Sequence, residues 1–451
     1  MLDVIFYGIL LILLYPIAAA IVSLYTDNVR TVVIFSSLSY SINLIISGLI
    51  LFVPFYTGIF YVDFITKIYL LLINSIFLAM SQYSGGYILH LHDTYFHPRY
   101  FFMLSNLFAF TLLFSVVVNN LGLIWVGIAA STAASALLVA LEKKDTAFEA
   151  TWRYIIVVSV GLALSLIAIS LLFYITGSYY LNLVNIINAN HILVQVTLIL
   201  ALIGFGSKFG LFPLSTWLPD VHGEAPAPVS AIFSAVLLPV ALYGFIRVYN
   251  ILYSIPDKYS ASIVIYAGII SALLSSIMFL AQIRYKRLIA YSSMENMSIA
   301  LIGVGLGYYG LIGAMIIILS HGFAKSSAFF SAGNIKIETN ETRIDKASAI
   351  GIPSNVSYSF ILATMAVTGA PPFGVFIGEF LILYLLIKSA YFIPAILLAI
   401  IMLISFLSML YHSVSMVHNN KKTSKITPFM EFLPLGLVIV SIIPAVLWVM
   451  I

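Results

Sequence analysis

The stretch GFGSKFGLFPLSTWLPDVHGEAPAPVS, Gly204–Ser230, decides the reading of this chain. It continues an apolar run, Ile192 to Ile203, that reads as the first half of a membrane helix. Lys208 therefore lies at membrane depth, where a lysine costs about 2.5–3.5 kcal/mol on insertion scales. Pro213 comes just over a turn later. It has no backbone N–H to give and its ring crowds the preceding turn, so it bends or ends the helix. Asp220, His222 and Glu224 then alternate along the chain before Pro226 and Pro228. A broken helix is tolerated in a bilayer only where protein or water satisfies the freed backbone groups. The bland account of Lys208 is a charge snorkelling to the interface. The sharper one is a proton or ion site.

Working outward, the whole chain of 451 residues is 62% hydrophobic and 8% charged, with mean hydropathy +1.12. Soluble domains carry about 25% charged residues, so the composition predicts an all-α polytopic membrane protein. There is no cysteine, which excludes disulfides, thiolate-held iron–sulfur clusters and thiolate zinc sites. Any redox centre would belong to another chain. The first segment has neither a basic start nor a small-residue cleavage site, and is expected to be a retained helix rather than a signal peptide.

Apolar runs of about 20 residues predict about 14 transmembrane helices. They lie near 2–24, 32–54, 64–86, 100–118, 121–141, 153–176, 191–213, 228–251, 260–281, 288–307, 309–333, 354–387, 392–413 and 428–450. The joints at Asn119-Asn120 and at Tyr308 are short. With this count one set of loops holds Arg30, Arg99, Lys143, Lys144, Arg153, Arg284, Lys286, Arg287, Lys336, Arg343, Lys346, Lys421, Lys422 and Lys425. The face shared by both termini holds only Arg247, Lys258 and Lys388. The basic side faces the cytoplasm, so both termini are expected on the outer face of the cell membrane.

Three basic residues fall inside spans. Lys67, beside Asp63 near a helix start, is explained by snorkelling. Lys208 has been described. Lys325 sits with His321 in SHGFAKSS, Ser320–Ser327, and their spacing of four puts both on one helix face. Two acids also lie within spans. Glu295 is about two turns into the tenth, and Glu379 follows Gly369-Ala370-Pro371-Pro372-Phe373-Gly374 in the twelfth. Helices 7 and 12 are thus both broken by proline or glycine, five spans apart. Broken helices at corresponding places of two halves are the layout of inverted repeats around a transport site. The expected division is helices 1–3 in 1–99, a first inverted five-helix repeat in 100–251, a second in 260–413, and helix 14 in 428–451. No residue-level similarity between the halves supports it.

The main loops are expected at 55–63, 88–99 and 334–353. The second holds His90, His92, Asp93 and His97, whose spacing matches no metal site and reads as surface histidine. No phosphate loop, dinucleotide fingerprint, nucleophile elbow or nucleic-acid patch is present, so no catalytic and no metal-ligating residue is assigned and no nucleic-acid partner is expected.

Several stretches resemble a known family. Gly206, Lys208, Gly210, Pro213-Leu214, Trp217-Leu218-Pro219-Asp220, His222, Glu224-Ala225-Pro226 and Pro228-Val229-Ser230-Ala231 are similar to the signature of the antiporter-like membrane subunits of respiratory complex I, of Mrp-type cation/proton antiporters and of group 4 hydrogenases. The similarity continues in Leu288–Ser293, in His321-x-x-x-Lys325-Ser326 with Ala332-Gly333-Asn334, and in Gly369–Gly374 with Glu379-Phe380. Asn119–Val126 looks most like component F of hydrogenase-4; subunits M and N of NADH:quinone oxidoreductase are also close. The resemblance covers roughly residues 60 to 410.

The family implies two inverted five-helix halves with charged residues and water along the membrane midplane. Carried over by motif, Lys208 is the central lysine of the first half, with His222 and Glu224 after its break. His321 and Lys325 lead into the second half, Glu379 is the acid at the outer exit, and Glu295 is an accessory. Two departures stand out. Where the family has a glutamate on the fifth span, this chain has Ala129 within Trp125–Ala130, and Glu142, three turns on, is too distant to replace it. On the eighth span Leu237-Leu238 is followed by Pro239.

The implied function is a proton- or sodium-translocating membrane subunit of a redox-driven respiratory or hydrogenase-type complex, in the lipid bilayer with other membrane and hydrophilic subunits. Iron–sulfur clusters, a nickel–iron site or a quinone site would be in partner subunits only, with no cofactor in this chain. Two alternatives are a subunit of a non-redox Mrp-type antiporter, and a structural subunit whose conduction is impaired by Ala129.

Overall fold

The computed structural model describes residues 2–51, 55–90, 97–187, 190–255, 257, 259–421 and 424–445. The helices are α1 Leu2–Leu24, α2 Val29–Ile50, α3 Phe64–Leu89, α4 Pro98–Val117, α5 Leu121–Ala140, α6 Asp145–Thr176 and α7 His191–Phe209. They continue with α8 Trp217–Glu224, α9 Ala227–Ile232, α10 Leu238–Tyr253, α11 Ser260–Phe279, α12 Tyr285–Gly305 and α13 Gly307–Thr339. The last are α14 Ile344–Ile350, α15 Ser354–Val367, α16 Gly374–Lys388, α17 Phe392–Met416 and α18 Pro428–Val440. Two very short strand pairs, Phe55–Tyr56 with Tyr61–Val62 and Ile352–Pro353 with Asn420–Lys421, tie loops together.

Twelve helical segments among the described residues are long and apolar enough to cross a membrane. Two of the expected spans are not among them. One is α12, which is long enough, but Tyr291, Ser292, Ser293, Glu295, Asn296 and Ser298 lower its hydropathy. The other is expected span 12, which is divided into α15 and α16, each too short alone. The short joints near Asn119-Asn120 and Tyr308 are real breaks. Asn120 caps α5, its side-chain oxygen accepting from the Leu123 N–H at 3.1 Å, and Gly307 takes φ +75 between α12 and α13. The loop expected at 334–353 is mostly helical instead. α13 runs on to Thr339 and stops at Asn340, whose left-handed φ of 57 is a common helix terminator, and α14 follows.

The chain packs as two compact units. Unit 1 comprises Met1–Gly85, Thr94–Phe209 and Val236–Ser260. Unit 2 comprises Gly86–Asp93, Gly210–Ala235 and Ala261–Ile451. The cut in the chain falls at the end of α7, after Phe209 and one residue beyond Lys208, so Gly210–Ala235 packs with the later helices. In unit 1 α6 and α7 approach closely. A Cβ on Gly161 would lie 1.9 Å from Ser207 Oγ, and one on Gly204 would lie 2.5 Å from the Ser165 backbone N. Small residues are what let membrane helices approach in this way, and the approach fixes the rotation of α7 that aims Lys208. The run Ala227–Tyr249 is buried throughout and contains a π-helical turn at Phe233–Leu237, two residues before Pro239. Turns of this kind are frequent at functional sites.

Candidate ion-translocation site

Six of the seven residues expected from the sequence lie in unit 2: His222, Glu224, Glu295, His321, Lys325 and Glu379. Lys208 lies in unit 1.

In unit 2 the twelfth expected span breaks where Gly369, at φ +66, turns the chain toward Pro371-Pro372, and α16 restarts at Gly374. The Glu379 carboxylate lies against this turn: a Cβ on Gly369 would be 2.0 Å from Glu379 Oε2. Glu379 is buried, and its Oε2 makes no hydrogen bond. On the other side of the break a Cβ on Gly374 would meet Ser320 Oγ at 2.1 Å. The freed carbonyl of Val367, at the end of α15, accepts from Asn296 Nδ2 at 2.9 Å. α12 thus satisfies the broken backbone with a side chain adjacent to Glu295, as the bilayer requires.

Lys325 is fully buried on α13 and donates to the Ile289 carbonyl at 2.7 Å and to Ser292 Oγ, both on α12. Ser405 on α17 donates to Glu295 Oε1. Lys325 and Glu295 are within electrostatic range of one another, as are Glu295 and Glu379. His321, one turn before Lys325, is within range of Lys325 and of His222. The His222 imidazole stacks on Phe329 at 4.9 Å, and neither ring nitrogen makes a hydrogen bond. Ser320 Oγ, Ser326 Oγ and Asn296 Oδ1 are further buried polar atoms without partners. Each such atom costs about 1–3 kcal/mol unless water meets it. Five ionisable side chains, His222, His321, Lys325, Glu295 and Glu379, are thus buried inside one packed unit.

Glu224 is placed differently. It pairs with Arg284 at 3.4 Å, and Asp220 pairs with Arg287 at 3.0 Å, so α8 is held by the basic start of α12. Lys286, from the same basic run, reaches inward to donate to the Ala225 carbonyl at 2.5 Å.

In unit 1 the Lys208 ammonium is fully buried and meets α5. It donates to the Ile128 carbonyl, to Ser131 Oγ at 2.8 Å and to Thr132 Oγ1 at 2.7 Å. Three acceptors match the three donors of an ammonium, but no carboxylate is paired with it among the described residues. Ala129 is on the same turn. Glu142, past the end of α5, pairs with Lys144 at 2.9 Å. Lys67 Nζ reaches the Leu51 carbonyl at 3.0 Å, consistent with a snorkelling side chain.

Sequence reading missed one charged cluster. Arg247 is buried and forks onto Asp63 with two contacts of 2.6 Å, donates to Thr66 Oγ1 at 2.8 Å, and lies over the rings of Tyr61 and Tyr243. Burial pushes the Asp63 carboxyl up, but the Arg247 guanidinium and its hydrogen bonds outweigh this and hold it below the usual carboxylate range. Of the loop histidines, His90 bridges the Gly86 and Lys425 carbonyls and His97 precedes α4. His92, Asp93, Lys258 and Lys422 lie outside the described residues.

A protein family described as NADH:quinone oxidoreductase/Mrp antiporter, transmembrane, matches residues 118–408. The hydrogenase-4 component F homolog of Methylacidiphilum infernorum is 33% identical over 346 residues, covering 72% of this chain and 72% of that protein. The NAD(P)H-quinone oxidoreductase chain 4 2 of Thermosynechococcus vestitus is 38% identical over 239 residues, covering 51% of this chain and 44% of that one. Among solved structures, a chain of the Mrp complex from Dietzia sp. DQ12-45-1b superposes with a TM-score of 0.86 at 15% identity, covering 98% of this chain and 95% of that chain. That likeness is one of fold. With its apolar helices, its two proline-broken segments and its matching relatives, this multi-pass membrane protein belongs to the NADH:quinone oxidoreductase/Mrp antiporter transmembrane family, as an antiporter-like subunit.

Proposed function

We propose that the chain moves protons, or sodium ions, across the cytoplasmic membrane as one subunit of a redox-driven respiratory or hydrogenase-type complex. The observation that carries this reading is the buried series His222, His321, Lys325, Glu295 and Glu379 beside the break between α15 and α16. Charging one of these groups changes the electrostatic cost of charging the next, so an electrical push at one end is passed along. Lys208 is the corresponding group of unit 1, and Glu224 acts at the end of α8, against the basic start of α12.

The proposal includes fourteen spans, counting α12 and the α15–α16 pair with the twelve apolar segments. It also includes inverted repeats at 100–251 and 260–413, and both termini on the outer face. Iron–sulfur clusters, a nickel–iron site or a quinone site would belong to the partner subunits. The two sequence relatives carry names of redox-complex subunits, which favours this reading over a non-redox antiporter. One observation favours a second reading, in which unit 1 is structural and does not conduct: Lys208 is held by neutral groups alone.

Purification of the native complex through a tag on this chain tests the first reading. The expected result is co-purification of subunits with redox centres, and ion uptake into vesicles when the electron donor is added. An assembly of membrane subunits without any redox centre would overturn it in favour of the Mrp-type alternative.

A further inference from the structure

Glu338 is the penultimate residue of α13, at the end that leads on to Arg343 and Lys346, and it is 2% exposed. One of its carboxylate oxygens is fully engaged. Oε1 accepts from the backbone N–H of Lys425 at 2.5 Å and of Ile426 at 3.3 Å, and from Ser424 Oγ at 3.0 Å. The other, Oε2, is buried and makes no hydrogen bond. No ion pair joins this carboxylate among the described residues; Lys425 Nζ meets the Glu338 backbone carbonyl at 3.4 Å instead. Its place in the helix adds to the cost, because the C-terminal end of a helix carries partial negative charge and favours cations. A second buried acid, Glu431, lies just beyond the same loop and is accounted for. It stands in the first turn of α18, where negative charge is favoured, and its Oε2 accepts from Asn355 Nδ2 at 3.1 Å.

From Glu338 a polar face runs back along α13. Asn334, Ser331 and Ser327 precede it at steps of four, three and four, so all four side chains share one side of the helix. Asn334 Nδ2 donates at 2.7 Å to the Met430 carbonyl, which Pro434 leaves without its helical donor. Ser331 Oγ donates to Ser359 Oγ on α15 at 3.0 Å, and Ser327 Oγ to the Pro434 carbonyl at 2.7 Å. The climb from Glu338 to Ser327 is about 16 Å, and Ser327 is two residues from Lys325. α13 therefore presents His321 and Lys325 on one face, and on another a polar row that ends in a buried carboxylate with no balancing charge.

We propose that Glu338 is the loading site of unit 2 on the side of the basic loops. Its carboxylate takes up the translocated monovalent cation, a proton or a sodium ion, and the polar face of α13 leads that ion to the level of Lys325. The proposal rests on the reading of the chain as an ion-translocating subunit. The two oxygens divide the work: Oε1 holds the loop before α18, and Oε2 receives the ion.

Dicyclohexylcarbodiimide, which modifies protonated carboxyl groups in apolar surroundings, tests this on the assembled complex in native membranes, with the labelled acid located by peptide mass spectrometry. Labelling of Glu338 is expected. If sodium chloride suppresses it relative to an equal concentration of choline chloride, the cation is sodium. If labelling falls with rising pH and ignores sodium, the cation is the proton. Glu338→Gln keeps an oxygen for the loop and removes the charge. It should leave subunit content unchanged and raise the half-saturating concentration of that cation for uptake at least tenfold, whereas Glu431→Gln should change it less than about twofold. Absence of label from Glu338 at every pH, or an unchanged half-saturating concentration in Glu338→Gln, would overturn the proposal. The label is read on the wild type and without ion flux, so neither a variant that fails to assemble nor a complex that does not translocate leaves the site untested.

Discussion

Gly369→Ala is the sharpest small perturbation of unit 2. Gly369 has φ +66, where a residue with a Cβ pays about 1–2 kcal/mol. The new methyl would stand 2.0 Å from Glu379 Oε2 and 2.9 Å from its carboxyl carbon. The carboxylate must therefore swing away, at about 0.5–1.5 kcal/mol if it leaves a rotamer well. A loss of about 2–3 kcal/mol is expected. Gly436→Ala is the control: it is an exposed glycine in α18 with nothing within 4 Å of the added methyl, and should gain about 0.5–1 kcal/mol. Unfolding in detergent by denaturant, followed by tryptophan fluorescence, compares the two. In vesicles Gly369→Ala should also lower ion uptake at least tenfold, because the displaced group is the one assigned to the path. Equal stability and equal uptake in the two variants would refute the placement of Glu379 at the break.

Three further outcomes are expected. Thr132→Val removes an acceptor from a buried ammonium and should cost about 1.5–3 kcal/mol. Thr197→Val, which removes only a hydroxyl bonded to the Leu193 carbonyl, should cost about 0.5–1.5 kcal/mol, and equal losses would contradict the Lys208 geometry. Asp63→Asn breaks the largely buried pair with Arg247 and should cost about 3 kcal/mol near neutral pH. Because the folded carboxyl titrates below its unfolded value of about 3.9, this stability is present above that pH and is lost as the pH falls through the lower folded value. The wild type should therefore lose more stability in that acid window than Asp63→Asn, as read by acid titration of unfolding. Ser405→Ala removes the hydroxyl that holds Glu295 and should reduce uptake several-fold without loss of assembly, measured by uptake per assembled complex.

Much of this arrangement was legible from the chain because the bilayer makes charge and helix breakers conspicuous. Lys208, Lys325, Glu295 and Glu379 stand out against apolar surroundings, and the structure buries each of them. Pro213 and the Pro371-Pro372 pair announced both breaks. The partners of these charges were not legible, because they are ordinary serines, threonines and carbonyls on other helices. Ser292 and Ser405 acquire meaning only when α12, α13 and α17 are packed. Arg247 and Asp63 are far apart in the chain, and Arg247 read as one more loop charge. Division of the chain after Lys208 was hidden for a related reason. The sequence shows a break at Pro213, and only packing shows that Gly210–Ala235 joins the later helices.

The account stands or falls on the Lys325 ammonium, which lies in the middle of the unit 2 series. Lys325→Ala should be made in the complete complex, with donor-driven ion uptake measured in vesicles alongside electron-transfer rate and subunit content. The account predicts that uptake is abolished while every subunit remains bound. Uptake at the wild-type rate would contradict it.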